Sequence, residues 1–272
     1  MALLPPIYLD TVVVFAAPQA DDNSPTQYSA TGFIYGHPGE SGKSSWLFLV
    51  TNRHVFEGMD KLSVRFNRTA GSGPMFYDLL LRESDGSIFW TAHRDSNCDV
   101  AVVPIQEKLL TDDGIDYKCL NGSQEHMLSV ERAKSIQISE GDGVFVLGFP
   151  LGVVGKERNY TIVRQGTIAR VRDWLEGNSR EILIDALVFP GNSGGPVFIK
   201  PELTRIEGTK ANATPHLLGM VSKYLPYADI AVSPQTGNPR VVFQENSGLA
   251  VVVPIDVIQE TVLEAVEKIQ SG

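Results

Sequence analysis

The sequence of 272 residues contains only two cysteines, Cys98 and Cys119. Two thiols cannot build the disulfide framework that holds small secreted proteins together. No Lys or Arg precedes Lys43, so the N-terminus lacks the basic region with which a secretory signal begins. No apolar run approaches the roughly 20 residues that cross a bilayer as a helix. These absences predict a cytoplasmic protein that has no membrane partner. A secreted mature chain from which a signal peptide has been removed is the alternative.

Positive charge is also scarce, because 23 Lys and Arg stand against 32 Asp and Glu and leave a net charge of -9. An acidic surface repels phosphate, so nucleic acid is excluded as the main partner. Hydrophobic residues make up 43% and charged residues 20% of the chain, which excludes an intrinsically disordered protein. The length suits one large all-β domain or a pair of small barrels.

Most apolar runs are short, rich in Val, Ile and Phe, and separated by turn residues. Strands at such close spacing favour an all-β sandwich or barrel over βαβ units. We expect the least regular structure in four stretches that lack a clear pattern, namely Asn67–Pro74, Leu109–Gln124, Lys200–Pro215 and Tyr227–Arg240.

The C-terminal residues follow a different pattern. Apolar side chains recur there at steps of three and four, at Ile255, Ile258, Val262, Val266 and Ile269. Such steps place them on one face of a helix. The chain is therefore predicted to end in one amphipathic helix.

The segment Pro190–Pro196 reads Pro-Gly-Asn-Ser-Gly-Gly-Pro. Three glycines around one serine are more than an ordinary turn needs. Glycines permit positive φ and let backbone N–H groups point at a ligand. Such a setting suits a nucleophile beside an oxyanion hole, so we expect Ser193 to be the nucleophile.

A serine hydroxyl is a weak nucleophile until a base takes its proton. Among the five histidines, His54 directly follows an apolar strand, whose end holds a side chain better than a loop tip does. The base in turn needs a carboxylate that fixes its tautomer and stabilises the imidazolium. Asp99 precedes the apolar run Val100–Val103, where a carboxylate is costly unless it has a partner. Asp95 is the rival acid, but it lies further from that strand.

His54, Asp99 and Ser193 follow one another at intervals of 45 and 94 residues. With the motifs Thr-Asn-Arg-His-Val, Asp-Val-Ala-Val-Val and Gly-Asn-Ser-Gly-Gly-Pro, this order resembles the trypsin-like (chymotrypsin-fold) serine peptidases. The likeness is strongest to their bacterial branch, the protease domain of the high-temperature-requirement, or Deg-type, enzymes. It covers nearly the whole chain, since further matches occur at Ala30–Ile34, Leu147–Gly152 and Gln165–Ile168.

The resemblance implies an all-β fold of two six-stranded antiparallel Greek-key barrels. The active site would lie in the cleft between them, and an amphipathic α-helix would end the chain. A single peptidase domain would occupy 1–272, divided into a first barrel over 8–115, a linking segment over 116–138, a second barrel over 139–253 and the helix over 254–270.

The resemblance also implies a serine endopeptidase that works through an acyl-enzyme intermediate. Ser193 would attack the peptide carbonyl, His54 would move the proton and Asp99 would orient His54. The oxyanion hole would lie over Gly191, Asn192 and Ser193. The partner is a polypeptide substrate, and we expect neither a cofactor nor a metal. The predicted substrate-binding residues are Leu187 at the pocket floor, Met220, Val221 and Ser222 on the pairing strand, and Leu249 on the opposite wall. Because no Asp stands at the floor position, we expect cleavage after a small or medium apolar residue, not after Arg or Lys.

Two alternatives stay open. The first is a catalytically silent or partner-activated binding module on the same fold, because motif geometry is invisible in a sequence. The second is an α/β-hydrolase, because Gly191–Gly195 also fits its G-x-S-x-G elbow. That fold needs an acid and then a histidine after the serine, and only His216 follows Ser193.

Gly194 stands where many secreted relatives have the Asp that binds a newly cut N-terminus, so any regulation would come from loop ordering or from a partner. Deg-type enzymes carry a peptide-binding domain after the protease domain, and none fits after the terminal helix of this sequence. If the activity is regulated, we expect a regulatory protein partner or a C-terminal extension to provide the trigger.

Overall fold

The structure, a computed structural model, describes residues 4–17, 27–38, 44–70, 73–122, 125–203 and 209–271. Over these ranges the strands are β1 (Val12–Ala16), β2 (Tyr28–Pro38), β3 (Ser44–Thr51), β4 (Lys61–Arg68), β5 (Met75–Leu80), β6 (Thr91–Ala92), β7 (Ala101–Ile105), β8 (Ile115–Asp116), β9 (Leu120–Asn121), β10 (Gly143–Gly148), β11 (Ile162–Arg170), β12 (Ile182–Asp185), β13 (Pro196–Ile199), β14 (Leu217–Val232) and β15 (Pro239–Pro254). The helices are α1 (Pro6–Leu9), α2 (Arg53–Phe56), α3 (Glu107–Asp112), α4 (Val130–Ile136), α5 (Arg172–Leu175) and α6 (Ile255–Ser271), with a 3₁₀ turn at Pro150–Gly152.

Strands β1–β9 form one open, curled sheet in the first half of the chain. Its described strands run in the order β5-β4-β1-β2-β3-β7-β6, with β8 beside β4 and β9 beside β2. The side chains inside the curl are apolar and fully buried, as Phe15, Phe56 and Leu62 show. Because β3 and β7 are neighbours in this sheet, the segments that follow β3 and precede β7 lie close together.

Strands β10–β15 close into a barrel in the order β10-β11-β12-β15-β14-β13. All its neighbouring strands are antiparallel. Branched aliphatic side chains fill the interior, among them Val146, Ile184 and Val252. The curled sheet and the closed barrel together confirm the all-β, double-barrel fold that the sequence predicts.

A further core joins both halves to α6. It contains Phe33 of the curled sheet, Phe149 and Phe198 of the second half, and Ile258 and Val262 of the helix. The predicted terminal helix is therefore confirmed, and its apolar stripe packs against the rest of the molecule. In the ranges that the structure describes, no helix is both long and apolar enough to cross a membrane.

The expectation of little regular structure over Tyr227–Arg240 is wrong. These residues belong to a long hairpin in which β14 and β15 pair from Gly219↔Pro254 to Val232↔Pro239. The sequence pattern missed the hairpin because apolar residues lie on both of its faces, so the alternation that marks a half-buried strand is missing.

Candidate active site

His54 stands at the start of a short helix directly after β3. Its neighbour Asn52 is fully buried, and the Asn52 amide donates a hydrogen bond of 2.8 Å to the backbone carbonyl of Asp99. The end of β3 and the segment before β7 are thus joined at this point. As a result, the two residues that the sequence predicts as base and acid lie side by side.

The His54 ring and the Asp99 carboxylate form a direct pair. His54 Nδ1 lies 2.8 Å from Asp99 Oδ2, and the His54 backbone N–H donates to Asp99 Oδ1 at 3.1 Å. The Ser222 hydroxyl donates to Oδ2 at 2.8 Å. Burial alone would raise the pKa of Asp99, but the His54 ring, the Ser222 hydroxyl and the His54 N–H together hold that pKa below its usual range. Asp99 is therefore a carboxylate at neutral pH and can stabilise an imidazolium.

The segment before Asp99 is fixed by α6 and by the closed barrel. His93 is buried, and its Nε2 lies 3.0 Å from a carboxylate oxygen of Glu260 on α6. Arg180, just before β12, donates to the same oxygen at 2.8 Å. Burial would raise the pKa of Glu260, but the bonds from His93 and Arg180 hold it below its usual range. This cluster connects three parts of the chain immediately behind the Asp99 segment.

Ser193 lies at the turn between β12 and β13 and lines the same cavity as His54. Its hydroxyl donates to the Ser222 carbonyl at 3.2 Å, so in this conformation its proton is directed at Ser222 and not at His54. Ser222 therefore contacts both Asp99 and Ser193. Sequence reasoning assigned Ser222 to substrate pairing and missed this bridging position.

The backbone around Ser193 has a conformation that only glycine tolerates at two positions. Gly191 has φ +97°, and a Cβ there would lie 2.4 Å from the Phe149 carbonyl oxygen. Gly194 has φ +81°, and a Cβ there would lie 2.1 Å from the Thr31 carbonyl oxygen. Both glycines are needed because the backbone passes in direct contact with other backbone atoms.

Two remote residues fix the peptide planes that enter the turn. The Pro190 carbonyl accepts a hydrogen bond of 2.7 Å from the Leu151 N–H. The Gly191 carbonyl accepts one of 2.5 Å from the Thr31 hydroxyl. In a trans peptide the C=O and N–H point in opposite directions. Because the Pro190 carbonyl points at Leu151, the N–H of Gly191 points away from Leu151.

The next two carbonyls are also occupied, since Asn192 O accepts from Gly195 N at 2.8 Å and Ser193 O accepts from Thr31 N at 2.9 Å. The Asn192 and Gly194 N–H groups are used as well, on Phe189 O and Val221 O. Among the described residues, only the N–H groups of Gly191 and Ser193 in this turn lack an acceptor. Such a pair of free donors beside a serine hydroxyl can hold an oxyanion.

Thr31 is the contact through which the curled sheet reaches this turn. It is fully buried, and besides its bonds to Gly191 and Ser193 its hydroxyl accepts from Phe149 N at 3.0 Å. The Thr31 carbonyl accepts from the Thr51 hydroxyl at 2.8 Å. Sequence reasoning noticed Ala30–Ile34 as a motif but assigned no role to Thr31, and no local pattern distinguishes it from an ordinary strand threonine.

A cavity of about 320 Å³ opens beside Ser193 and His54. None of the described residues that line it is acidic, and they are Ser29, His54, Val188, Phe189, Pro190, Gly191, Ser193, Val221, Ser222, Lys223 and Tyr224. Val221 and Ser222 of the predicted substrate-binding set are among them. Three others lie outside this lining: Leu187 is 52% exposed, Met220 is fully buried, and Leu249 pairs with Asp185.

The all-β fold excludes the α/β-hydrolase alternative, because the Ser193 turn joins two strands of a barrel and not a strand to a helix. No group of three or more His, Cys, Asp or Glu that could hold a metal ion occurs in the described part of the chain.

The model of the trypsin-like peptidase domain family matches residues 30–201. A comparison with curated proteins gives no match. Among solved structures, an HtrA-type protease with a tripeptide is 20% identical over 95% of this chain, with a TM-score of 0.47, and the chain spans 61% of that protein's length. The MamO protease domain from Magnetospirillum magneticum in its apo form is 18% identical over 94% of this chain and 97% of its own, also with a TM-score of 0.47.

Proposed function

Because the chain belongs to the trypsin-like peptidase domain family, we propose that this serine endopeptidase cleaves polypeptides with His54, Asp99 and Ser193. One observation carries the assignment: His54, paired with Asp99 at 2.8 Å, lines the same cavity as Gly191 and Ser193, whose two N–H groups lack an acceptor among the described residues. An acid–base pair and an oxyanion site are the two devices that acyl transfer needs around a nucleophile.

In the reaction, the Ser193 hydroxyl turns from the Ser222 carbonyl to His54, which takes its proton as the oxygen attacks the substrate carbonyl. Asp99 stabilises the imidazolium that results. The N–H groups of Gly191 and Ser193 receive the oxyanion, and Asn192 between them holds the turn through its own backbone bonds. His54 then delivers the proton to the leaving amine, and water repeats the sequence on the acyl-enzyme.

The cavity supports cleavage after a small or medium apolar residue. Val188 and Val221 provide apolar wall, and none of the described residues that line the cavity offers a carboxylate to pair with Arg or Lys. Leu187, Met220 and Leu249 stay predicted substrate-binding residues, although they lie outside the described lining of this cavity. A polypeptide is the proposed partner. The other sequence predictions stay predictions: a regulatory protein partner, no nucleic-acid or membrane partner, a cytoplasmic location, and domain boundaries at residues 115, 138 and 253.

The test is covalent labelling with a fluorophosphonate probe, which reports an activated serine. The wild-type protein should be labelled, and Ser193→Ala should lose all labelling while keeping its circular dichroism spectrum. Ser29→Ala is the matched control, since Ser29 lines the same cavity and should leave labelling intact. A folded wild-type protein that resists the probe would favour the silent or partner-activated binding module.

Cleavage preference is tested separately with a peptide library read by mass spectrometry. Cuts after Val, Ala or Leu are expected, whereas a dominant cut after Arg or Lys would contradict the apolar cavity.

A further inference from the structure

Strands β14 and β15 continue beyond the closed barrel as a two-stranded ribbon, which comprises residues 226–246. Its cross-strand partners run from Pro226↔Asn246 to Val232↔Pro239. Inside the barrel β14 also pairs with β13, and β15 also pairs with β12. In the ribbon each strand pairs only with the other, among the residues that the structure describes.

The ribbon exposes an unusual amount of apolar surface. Six large apolar side chains on it are between 48% and 60% exposed, namely Tyr227, Ile230, Val232, Val241, Val242 and Phe243. Cross-strand partners share a face, so Phe243 lies opposite Asp229 on one face and Val242 lies opposite Ile230 on the other. A two-stranded ribbon has no core of its own in which to bury them. Apolar surface on both faces of such a ribbon is typical of a binding surface.

One edge of the ribbon continues directly from the nucleophile. β13 pairs with β14 as far as Pro196↔Met220, and the Gly194 N–H then bonds to Val221 O. The next carbonyl, that of Ser222, accepts the Ser193 hydroxyl. From Lys223 onward this edge of β14 has no pairing strand in the described chain. It runs from the active serine, past the cavity, into the ribbon.

The leaving group decides which side of a substrate lies on this edge. His54, which protonates the leaving amine, comes from the curled sheet. The part of the substrate that is C-terminal to the scissile bond therefore departs towards the curled sheet. The N-terminal part stays beside the closed barrel, where the edge of β14 begins.

We propose that the ribbon is an extended binding edge for the substrate segment N-terminal to the scissile bond. This proposal rests on the proposed function. An extended polypeptide adds to β14 as a further strand through backbone hydrogen bonds and packs its side chains on the exposed ribbon faces. The preferred substrate is consequently an unfolded, β-prone segment with apolar residues well before the cut.

The composition of the edge favours this occupant. Natural edge strands are protected against pairing by charges and prolines. Here Lys223 and Pro226 lie at the start of the edge, whereas Tyr227–Val232 reads Tyr-Ala-Asp-Ile-Ala-Val and carries the single charge of Asp229. On the free edge of β14, Pro226 offers no N–H to an added strand, whereas the six residues beyond it each have one.

The experiment measures kcat/KM for peptides that share the same residues around the cut but differ in N-terminal length. Arms of about four, eight and twelve residues would cover increasing lengths of the edge at roughly 3.3 Å per residue. We expect kcat/KM to rise about tenfold from the shortest to the longest, since a few net backbone hydrogen bonds suffice for that factor. Extending the C-terminal side by the same length should have no comparable effect.

A truncated variant isolates the ribbon. Residues 227–245 are replaced by an Asn-Gly turn between the cross-strand partners Pro226 and Asn246, which preserves the Asn246 bond to the Val188 carbonyl in the cavity wall. This variant should cleave the shortest peptide as the wild type does and lose the dependence on length. The double variant Ile230→Ser/Val242→Ser should lose part of it, whereas Leu263→Ser, an equally exposed apolar residue on α6, should lose none.

The possible outcomes distinguish failure of the ribbon proposal from failure of the proposed peptidase function. A protein that takes the fluorophosphonate probe and cleaves short peptides, but shows no dependence on N-terminal length, overturns the ribbon proposal and leaves the proposed function intact. A dimer that dissociates on truncation, without any length effect, assigns the ribbon to a second copy of the chain and overturns the proposal. Failure of probe labelling would contradict the proposed function itself.

Discussion

The curled sheet and the closed barrel contribute different kinds of group to the site. The curled sheet provides His54 and Asp99, whose side chains would carry and stabilise a proton. The closed barrel provides Ser193 and two backbone N–H groups, whose directions depend on hydrogen bonds to the carbonyls around them. One of those bonds comes from Thr31, 160 residues away from Gly191. The catalytic side chains can thus be recognised from local sequence motifs, whereas the orientation of the backbone N–H groups depends on contacts with residues far away in the sequence.

The largest effect is expected on the curled-sheet side, from Asp99→Asn. The amide cannot stabilise an imidazolium and favours the wrong His54 tautomer, so kcat should fall by about 10⁴. Asp95→Asn is the matched control, because among the described residues the Asp95 carboxylate bonds only to the backbone and side chain of Asn97. Steady-state kinetics on one peptide compares the two variants. Equal losses in both would contradict the assignment of Asp99 as the acid.

A backbone effect is expected from Thr31→Val, which removes the hydroxyl that holds the Gly191 carbonyl. The Gly191–Asn192 peptide is then free to turn. Its own N–H, that of Asn192, is not an oxyanion donor, but it lies between the two peptides that carry the donor N–H groups of Gly191 and Ser193, and its turning displaces both. The kcat should therefore fall by about 10- to 100-fold, somewhat less than for the loss of one oxyanion donor. Peptide aldehydes, which use the oxyanion site, should bind more weakly by a similar factor, while KM changes little. Thr31→Ser restores the hydroxyl and should restore most of the activity.

Thr261→Val is the control variant, because it removes a buried hydroxyl that lies away from the Ser193 turn. Thr261 is fully buried and donates to the Val257 carbonyl at 2.8 Å within α6. Both valine variants should lose about 1 kcal/mol of unfolding free energy, with Thr31→Val losing more because the Phe149 N–H is left without a partner. If Thr261→Val also lowers kcat tenfold, the Thr31 effect is one of general stability.

Sequence and structure agree most closely where a feature depends on a short stretch of sequence. The strand runs, the terminal helix and the pairing of His54 with Asp99 follow from residues within short motifs. Thr31 and Leu151 could not be predicted as supports of the Ser193 turn, because their role exists only once β2 and the 3₁₀ turn lie beside it. The hairpin at Tyr227–Arg240 was missed for a different reason, since apolar residues on both faces hide the period of two.

Ser222 contacts both Asp99 of the curled-sheet half and Ser193 of the closed-barrel half. Removal of its hydroxyl should lower kcat less than Asp99→Asn does. Ser222→Ala takes one hydrogen bond from the Asp99 carboxylate, so kcat should fall by about tenfold and the pKa of Asp99 should rise towards its ordinary value. The wild type gains stability from an ionised Asp99 whose folded pKa is lowered. Its advantage over Ser222→Ala is therefore complete above about pH 4 and disappears as the pH falls through the folded pKa.

Urea unfolding at neutral pH and near pH 3 measures this difference. A gap between the two proteins that stays constant on acidification would mean that Ser222 acts through packing and not through the charge on Asp99.

The smallest effect is expected from Leu187→Asp, which tests whether Leu187 or its neighbour Val188 forms the specificity pocket. The sequence places Leu187 at the pocket floor, yet its side chain is 52% exposed, while its neighbour Val188 is 2% exposed and lines the cavity. A carboxylate on an exposed side chain outside the cavity lining gains about 0.5 kcal/mol at most with a substrate cation. The kcat/KM for each peptide should therefore change by less than about twofold. Peptide-library profiling is the measurement. New cleavage after Arg or Lys would place the carboxylate at the pocket floor and restore Leu187 to the position that the sequence predicts.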